Sequence, residues 1–201
     1  MVADHGGPRP LQTPPRDAPA PAGRLITLAN MIGFARLMLA PVVAWLIWRG
    51  SFDTACWLFL LGGLSDAADG FVARRLGTVT RFGQILDPVA DKVFMNTAYI
   101  TLAVTGLVPL WLAGLVLARD LLIVVAAVLS RLFGLAVPIA PLWAGKINTA
   151  CQVAFATAVL AGAGYGWPTG DLLMPLFGLV IATTVISGGL YLERWLRAVF
   201  R

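Results

Sequence analysis

Apolar runs of roughly 20 residues recur along this 201-residue chain, and no other feature constrains its fold as strongly. As helix, at about 1.5 Å per residue, each run crosses a hydrocarbon core of about 30 Å. Hydrophobic residues make up 59% of the chain and charged residues only 12%, with a mean hydropathy of +0.82, which points away from a soluble domain. The expectation is an all-α, polytopic membrane protein with six transmembrane helices, over 28–48, 53–73, 84–105, 109–131, 147–164 and 171–192. Turn signals fall between them: Gly50-Ser51, Gly77 and Gly83, Gly106 with Pro109, Pro138 with Pro141, and Gly166-Trp167-Pro168. Residues 26–36 mix polar and apolar positions, and two readings stay open there: an interfacial helix leading into the first segment, or one continuous helix. The seven tryptophans (Trp45, Trp48, Trp57, Trp111, Trp143, Trp167 and Trp195) fall mostly near segment ends, as interface anchors do.

Residues 1–24 hold six of the thirteen prolines and no apolar core, so they read as a disordered Pro-rich tail ahead of a membrane domain over 25–201. Orientation follows from the basic residues. Arg9, Arg16 and Arg24 lie in the tail, Arg74, Arg75 and Arg81 follow the second segment, and Arg131 and Lys146 follow the fourth. Arg194, Arg197 and Arg201 close the chain, whereas the opposite loops carry only Arg49. Both termini and the second and fourth gaps are therefore expected on the cytoplasmic side. The net charge of +5 suits an anionic inner leaflet and calls for no nucleic-acid partner.

Some chemistries are excluded at once. The only histidine is His5, in the tail, which removes Ser–His and Cys–His catalysis and His-ligated metals. Cys56 and Cys151 sit far apart in apolar runs and read as buried thiols. Carboxylates, arginine and lysine must carry whatever reaction occurs.

Four of the ten acidic residues lie between positions 66 and 91. Asp66 and Asp69 are spaced i,i+3 near the end of the second segment, and Asp87 and Asp91 i,i+4 near the start of the third. Each pair shares a helix face, and a short connection makes the two helices antiparallel neighbours, so the four carboxylates converge at one depth. A single ionised Asp at mid-bilayer costs about 3 kcal/mol, somewhat less near the interface, and repulsion adds to that. Hard divalent cations such as Mg²⁺ or Mn²⁺ relieve both terms. The plain alternative is a solvated acidic loop, or acids paired with Arg74, Arg75 and Lys92; the apolar context of both segments argues against it. Gly70 and Ala73 let a flat ligand approach the helix, and Arg74 can bind a phosphate bidentately.

Taken together, the run is Asp66-Ala-Ala-Asp69-Gly70-Phe-Val-Ala73-Arg74, eight residues, Gly83, three residues, Asp87, three residues, Asp91. It resembles the signature of the CDP-alcohol phosphotransferase family at every fixed position, and the likeness extends over most of 25–195. The resemblance implies a phosphatidyltransferase of phospholipid biosynthesis, with its active site open to the cytoplasm and two divalent ions held by Asp66, Asp69, Asp87 and Asp91. It implies that Asp91 is also the general base, that Gly70 and Ala73 accommodate the cytidine, and that Arg74 and Gly83 lie beside the diphosphate. A homodimer in the inner membrane of a bacterium is also expected from the likeness.

Asn30, Arg36, Arg119, Asp120 and Lys146 are the remaining polar residues at membrane depth. Arg119 and Asp120 either neutralise each other, or Arg119, Lys146 and Arg81 form a cationic subsite for a phosphate-bearing acceptor. Asn30 to Arg36, Ala118-Arg119-Asp120 and 145–152 resemble the branch acting on glycerol-based acceptors, which leaves glycerol 3-phosphate and phosphatidylglycerol both open. Lys92 points to a different face from the acids by helix geometry and reads as a packing residue or a counter-ion rather than a catalytic one. The substrates implied are thus CDP-diacylglycerol and a polar alcohol within the lipid surface; a divalent-cation transporter using the same acids is the rival from another class.

Overall fold

A computed structural model describes residues 28–76, 83–133, 143–167 and 170–200, with side chains described throughout except over 28–32, 66–76, 83–88 and 131. The expected tail, the turn residue Gly77, the Pro138–Pro141 gap and Arg81 lie outside these residues. Six α-helices account for nearly all of the described chain, and no strand occurs among the described residues: α1 Leu28–Trp48, α2 Phe52–Leu76, α3 Gly83–Val104, α4 Leu110–Leu132, α5 Trp143–Tyr165 and α6 Gly170–Val199. α1 runs unbroken from Leu28, the continuous one of the two readings for that stretch.

Three helices, α4, α5 and α6, are long and apolar enough to cross a membrane, and α1 and α2 contain shorter apolar stretches over 33–48 and 52–65. Phe34, Val124, Val125, Leu179, Val185 and Ile186 lie exposed on the helices, apolar side chains that water would not tolerate in such number but lipid does. The chain is a membrane protein.

Glycine sets two of the turns. Gly50 adopts φ +78°, and Ser51 N–H donates to Leu46 O at 3.0 Å while Gly50 N–H donates to Ile47 O, so the end of α1 is closed by a left-handed residue and its last carbonyls are satisfied. Gly106, at φ +80°, closes α3 in the same way through Leu107 N–H to Leu102 O at 2.9 Å.

The helices pack in a ring, α1–α2–α5–α6–α4–α3 and back to α1. Its core is apolar and large: Val43, Ile47, Phe59, Phe94, Leu102 and Leu160 are fully buried. Small residues permit the tightest approaches. A Cβ on Gly62 of α2 would sit 2.7 Å from the Phe94 ring of α3. On Gly164 of α5 it would sit 2.5 Å from the backbone nitrogen of Asp53 at the start of α2. The backbone cannot rotate aside as a ring can, so Gly164→Ala forces α5 away from α2. It is expected to destabilise the protein by about 1–3 kcal/mol, read as a lowered melting temperature in detergent. An unchanged melting temperature would contradict this close packing.

Candidate active site

The site begins with how α2 and α3 face each other. Phe59 of α2 and Phe94 of α3 stack with ring centroids 5.4 Å apart and planes 16° apart. α2 ends at Leu76 and α3 starts at Gly83. A connection that short cannot return the chain to the far end of α2, so two helices touching at mid-length run antiparallel. Counted from the phenylalanine stack, Asp66 lies seven residues on along α2 and Asp87 seven residues back along α3. On ideal antiparallel helices such equal offsets correspond to similar levels, with Asp69 and Asp91 on either side.

Of the four, Asp91 has a described side chain, and it is half-buried on α3. Asp66, Asp69, Gly70, Ala73 and Arg74 lie on the last turns of α2, and Gly83 and Asp87 on the first turns of α3, with helical backbone throughout. The acids at these four positions offer only carboxylate oxygen, a donor type that suits a hard divalent cation and not a soft one.

Beyond Asp91, on the neighbouring edge of α3, lies a buried polar cluster. Asp120 of α4 is 3% exposed and accepts three donors. Lys92 Nζ lies 3.1 Å from its Oδ1, Arg119 Nη1 donates to the same oxygen at 2.7 Å, and Asn96 Nδ2 donates to Oδ2 at 3.2 Å. Lys92 is thus a counter-ion of Asp120. Arg119, itself buried, donates through Nη2 to Ser187 Oγ of α6 at 2.7 Å. The same nitrogen passes the first turn of α5, where a Cβ on Gly145 would lie 3.2 Å away. Lys146, the next residue, is exposed, with Nζ 5.0 Å from the Trp143 ring centroid. Two cations against one carboxylate leave this cluster one positive charge in excess.

The cluster continues along α5. Asn148 Oδ1 accepts from Thr184 at 2.8 Å and Thr183 at 3.0 Å, both on α6. Asn148 Nδ2 and Arg119 Nε are buried donors without a hydrogen-bond partner among the described residues. Of the two readings open for Arg119, the structure shows its pairing with Asp120, and Lys92 lies apart from Asp91; Asn96 and Ser187 are additions that the sequence does not signal. Nothing local marks them, because their partners come from other helices.

The fold and these residues define a helical membrane protein with a carboxylate-rich helix pair and an adjoining buried cationic cluster. Residues 26–188 match the CDP-alcohol phosphatidyltransferase family, and the chain belongs to it. Enzymes of this family generally depend on divalent metal ions. The chain is 30% identical over 181 residues to the human cardiolipin synthase (CMP-forming), covering 82% of this chain and 60% of the human protein. It is 32% identical over 205 residues to a cardiolipin synthase (CMP-forming) / mitochondrial hydrolase fusion protein of Schizosaccharomyces pombe, covering 94% of this chain but 33% of that protein. To a probable phosphatidylglycerophosphate synthase of Mycobacterium tuberculosis it is 34% identical over 185 residues, covering 88% of this chain and 85% of the relative. The chain therefore spans between a third and three-fifths of the length of the first two relatives.

Proposed function

We propose that this protein transfers the phosphatidyl group of CDP-diacylglycerol to a glycerol-based acceptor, glycerol 3-phosphate or phosphatidylglycerol, and releases CMP. The observation that carries the reading is the complete acid-rich signature on the end of α2 and the start of α3, two helices in contact through the Phe59–Phe94 stack. Asp91 takes the proton of the acceptor hydroxyl. As that proton leaves, the acceptor oxygen bonds to the lipid-proximal phosphorus, the diphosphate P–O bond breaks, and the electron pair departs with CMP. Gly70 and Ala73 leave room for the cytidine against α2, while Arg74 and Gly83 lie beside the diphosphate. Asp66, Asp69, Asp87 and Asp91 would hold two divalent ions, Mg²⁺ or Mn²⁺, which supply charge neutralisation on the diphosphate and a more acidic acceptor hydroxyl.

Acceptor binding falls to Arg119, Lys146 and Arg81. The excess positive charge around Asp120 and the unpartnered donors Arg119 Nε and Asn148 Nδ2 support an anionic, oxygen-rich acceptor on that side. Six membrane spans with both termini and the site on the cytoplasmic face of a bacterial inner membrane fit the distribution of basic residues, and a homodimer fits the family.

Purified protein incubated with labelled CDP-diacylglycerol and Mg²⁺ or Mn²⁺ is expected to release CMP only when an acceptor is present. Glycerol 3-phosphate and phosphatidylglycerol offered separately identify the acceptor by the mass of the lipid formed. Metal uptake into proteoliposomes with no CMP formed from either would overturn the enzymatic reading.

A further inference from the structure

We infer that Asp120 is a positioning residue for the reaction: through Lys92 and Asn96 it fixes the rotation of α3 and with it the direction of Asp91. The inference rests on the proposed role of Asp91.

Lys92 and Asn96 are spaced i,i+4 and share one edge of α3, while Asp87 and Asp91, also i,i+4, share another. At about 100° per residue the two edges lie roughly 140° apart around the helix. A helix is stiff, so holding one edge sets the other. Asp120 holds the first edge with both of its oxygens, Oδ1 against Lys92 at 3.1 Å and Oδ2 against Asn96 at 3.2 Å. The buried Phe94 and Leu102 already hold α3 in the core, and one polar contact would add a single restraint at its α4 side. Two contacts one turn apart restrain both roll and slide there.

The anchor is itself secured from behind. Arg119 Nη1 donates to Asp120 Oδ1 and Nη2 to Ser187 Oγ, both at 2.7 Å, so the carboxylate is tied through its neighbour to α6. Neutralisation alone would need only Arg119. The carboxylate instead gathers a second cation and an amide, both from the helix that carries Asp91. Asp120 and Arg119 are buried to 3% and 7% exposure, away from solvent that would loosen these bonds. A roll of α3 by about 20° would carry a carboxylate at a radius of about 5–6 Å sideways by nearly 2 Å, and a misplacement of about 1 Å can cost a hundredfold in rate.

The test compares Asp120→Ala, Asp120→Asn, Asn96→Leu and the Asn96→Leu/Asp120→Ala double variant in detergent with Mg²⁺ or Mn²⁺, measuring kcat, KM for each substrate and the melting temperature. Asp120→Ala is expected to lower kcat by about 10- to 100-fold with KM for CDP-diacylglycerol little changed, whereas KM for the acceptor also responds to the release of Arg119. Asp120→Asn keeps a carbonyl oxygen for one donor and should recover part of the loss. The double variant should be no slower than Asp120→Ala alone, because both changes cut the same tether. Should Asp120→Ala fail to fold, the cycle is run with Asp120→Asn, with the same expected non-additivity. Full kcat per folded molecule, losses that simply multiply, or an effect confined to the acceptor KM would each overturn the positioning role. A wild-type protein that forms no CMP would overturn the proposed function as well, whereas an active wild type with equally active Asp120 variants overturns the positioning role alone.

Discussion

Asp91→Asn is expected to lower CMP release by about 10²–10⁴-fold, the range associated with loss of a general base. The substitution preserves the shape of the side chain and removes its capacity to take a proton. Asp91 lies on α3 three residues before Phe94, whose ring packs on Phe59 and over Gly62, so the surrounding packing has no reason to change. Activity is expressed per folded molecule, with the melting temperature measured on the same sample. Asp91 is also proposed as a metal ligand, and the two roles separate in a titration. If the variant only bound its ions weakly, raising Mg²⁺ or Mn²⁺ would restore the rate. Loss of the base would persist at saturating ion. A variant with full activity at any ion concentration would remove Asp91 from the base role.

The helices were legible because each is an apolar run, but their ends were legible only where chemistry marks them. Gly50 and Gly106 close α1 and α3 with the left-handed turns that glycine favours, so the expected boundaries fall within a residue there. α6 was expected to stop at 192 and continues to Val199, because its last turns are polar and held by the i,i+4 pair of Glu193 and Arg197, which an apolar count does not register. α5 starts at Trp143, four residues before the expected 147, since Gly145 and Lys146 interrupt the apolar pattern without breaking the helix. The separation of Lys92 from Asp91 was legible from spacing, a consequence of helical geometry. The ring order of the helices was not. It depends on which faces interlock, as Gly62 does with Phe94 and Gly164 with the backbone of Asp53. The part of Asp120 as a hub was hidden for the same reason: its sequence neighbour Arg119 was visible, while Lys92, Asn96 and Ser187 arrive from α3 and α6.

Chelation of divalent ions with EDTA is expected to abolish CMP release altogether, and excess Mg²⁺ or Mn²⁺ to restore it. Four carboxylates converging as proposed repel one another in a medium that screens poorly. Nothing else in the signature matches their charge: Arg74 is the one cation among its fixed positions, and Lys92 is already committed to Asp120. The reaction adds the two negative charges of the diphosphate to the same place, so binding of CDP-diacylglycerol should itself weaken when the ions are removed. Ca²⁺ prefers longer bonds and more ligands than Mg²⁺, and is expected to bind without restoring the rate. The same acids give a readout independent of turnover. Ions bound to the folded state alone stabilise it by about 2.7 kcal/mol at a hundredfold excess over Kd, so the melting temperature should fall on chelation and recover with the added ion. In Asp66→Asn/Asp87→Asn, where two of the four charges are removed, that dependence should shrink along with the activity. Turnover that survives exhaustive chelation, with a melting temperature indifferent to either ion, would mean that these carboxylates are compensated by protein groups and that the phosphoryl chemistry proposed for them has no electrostatic footing.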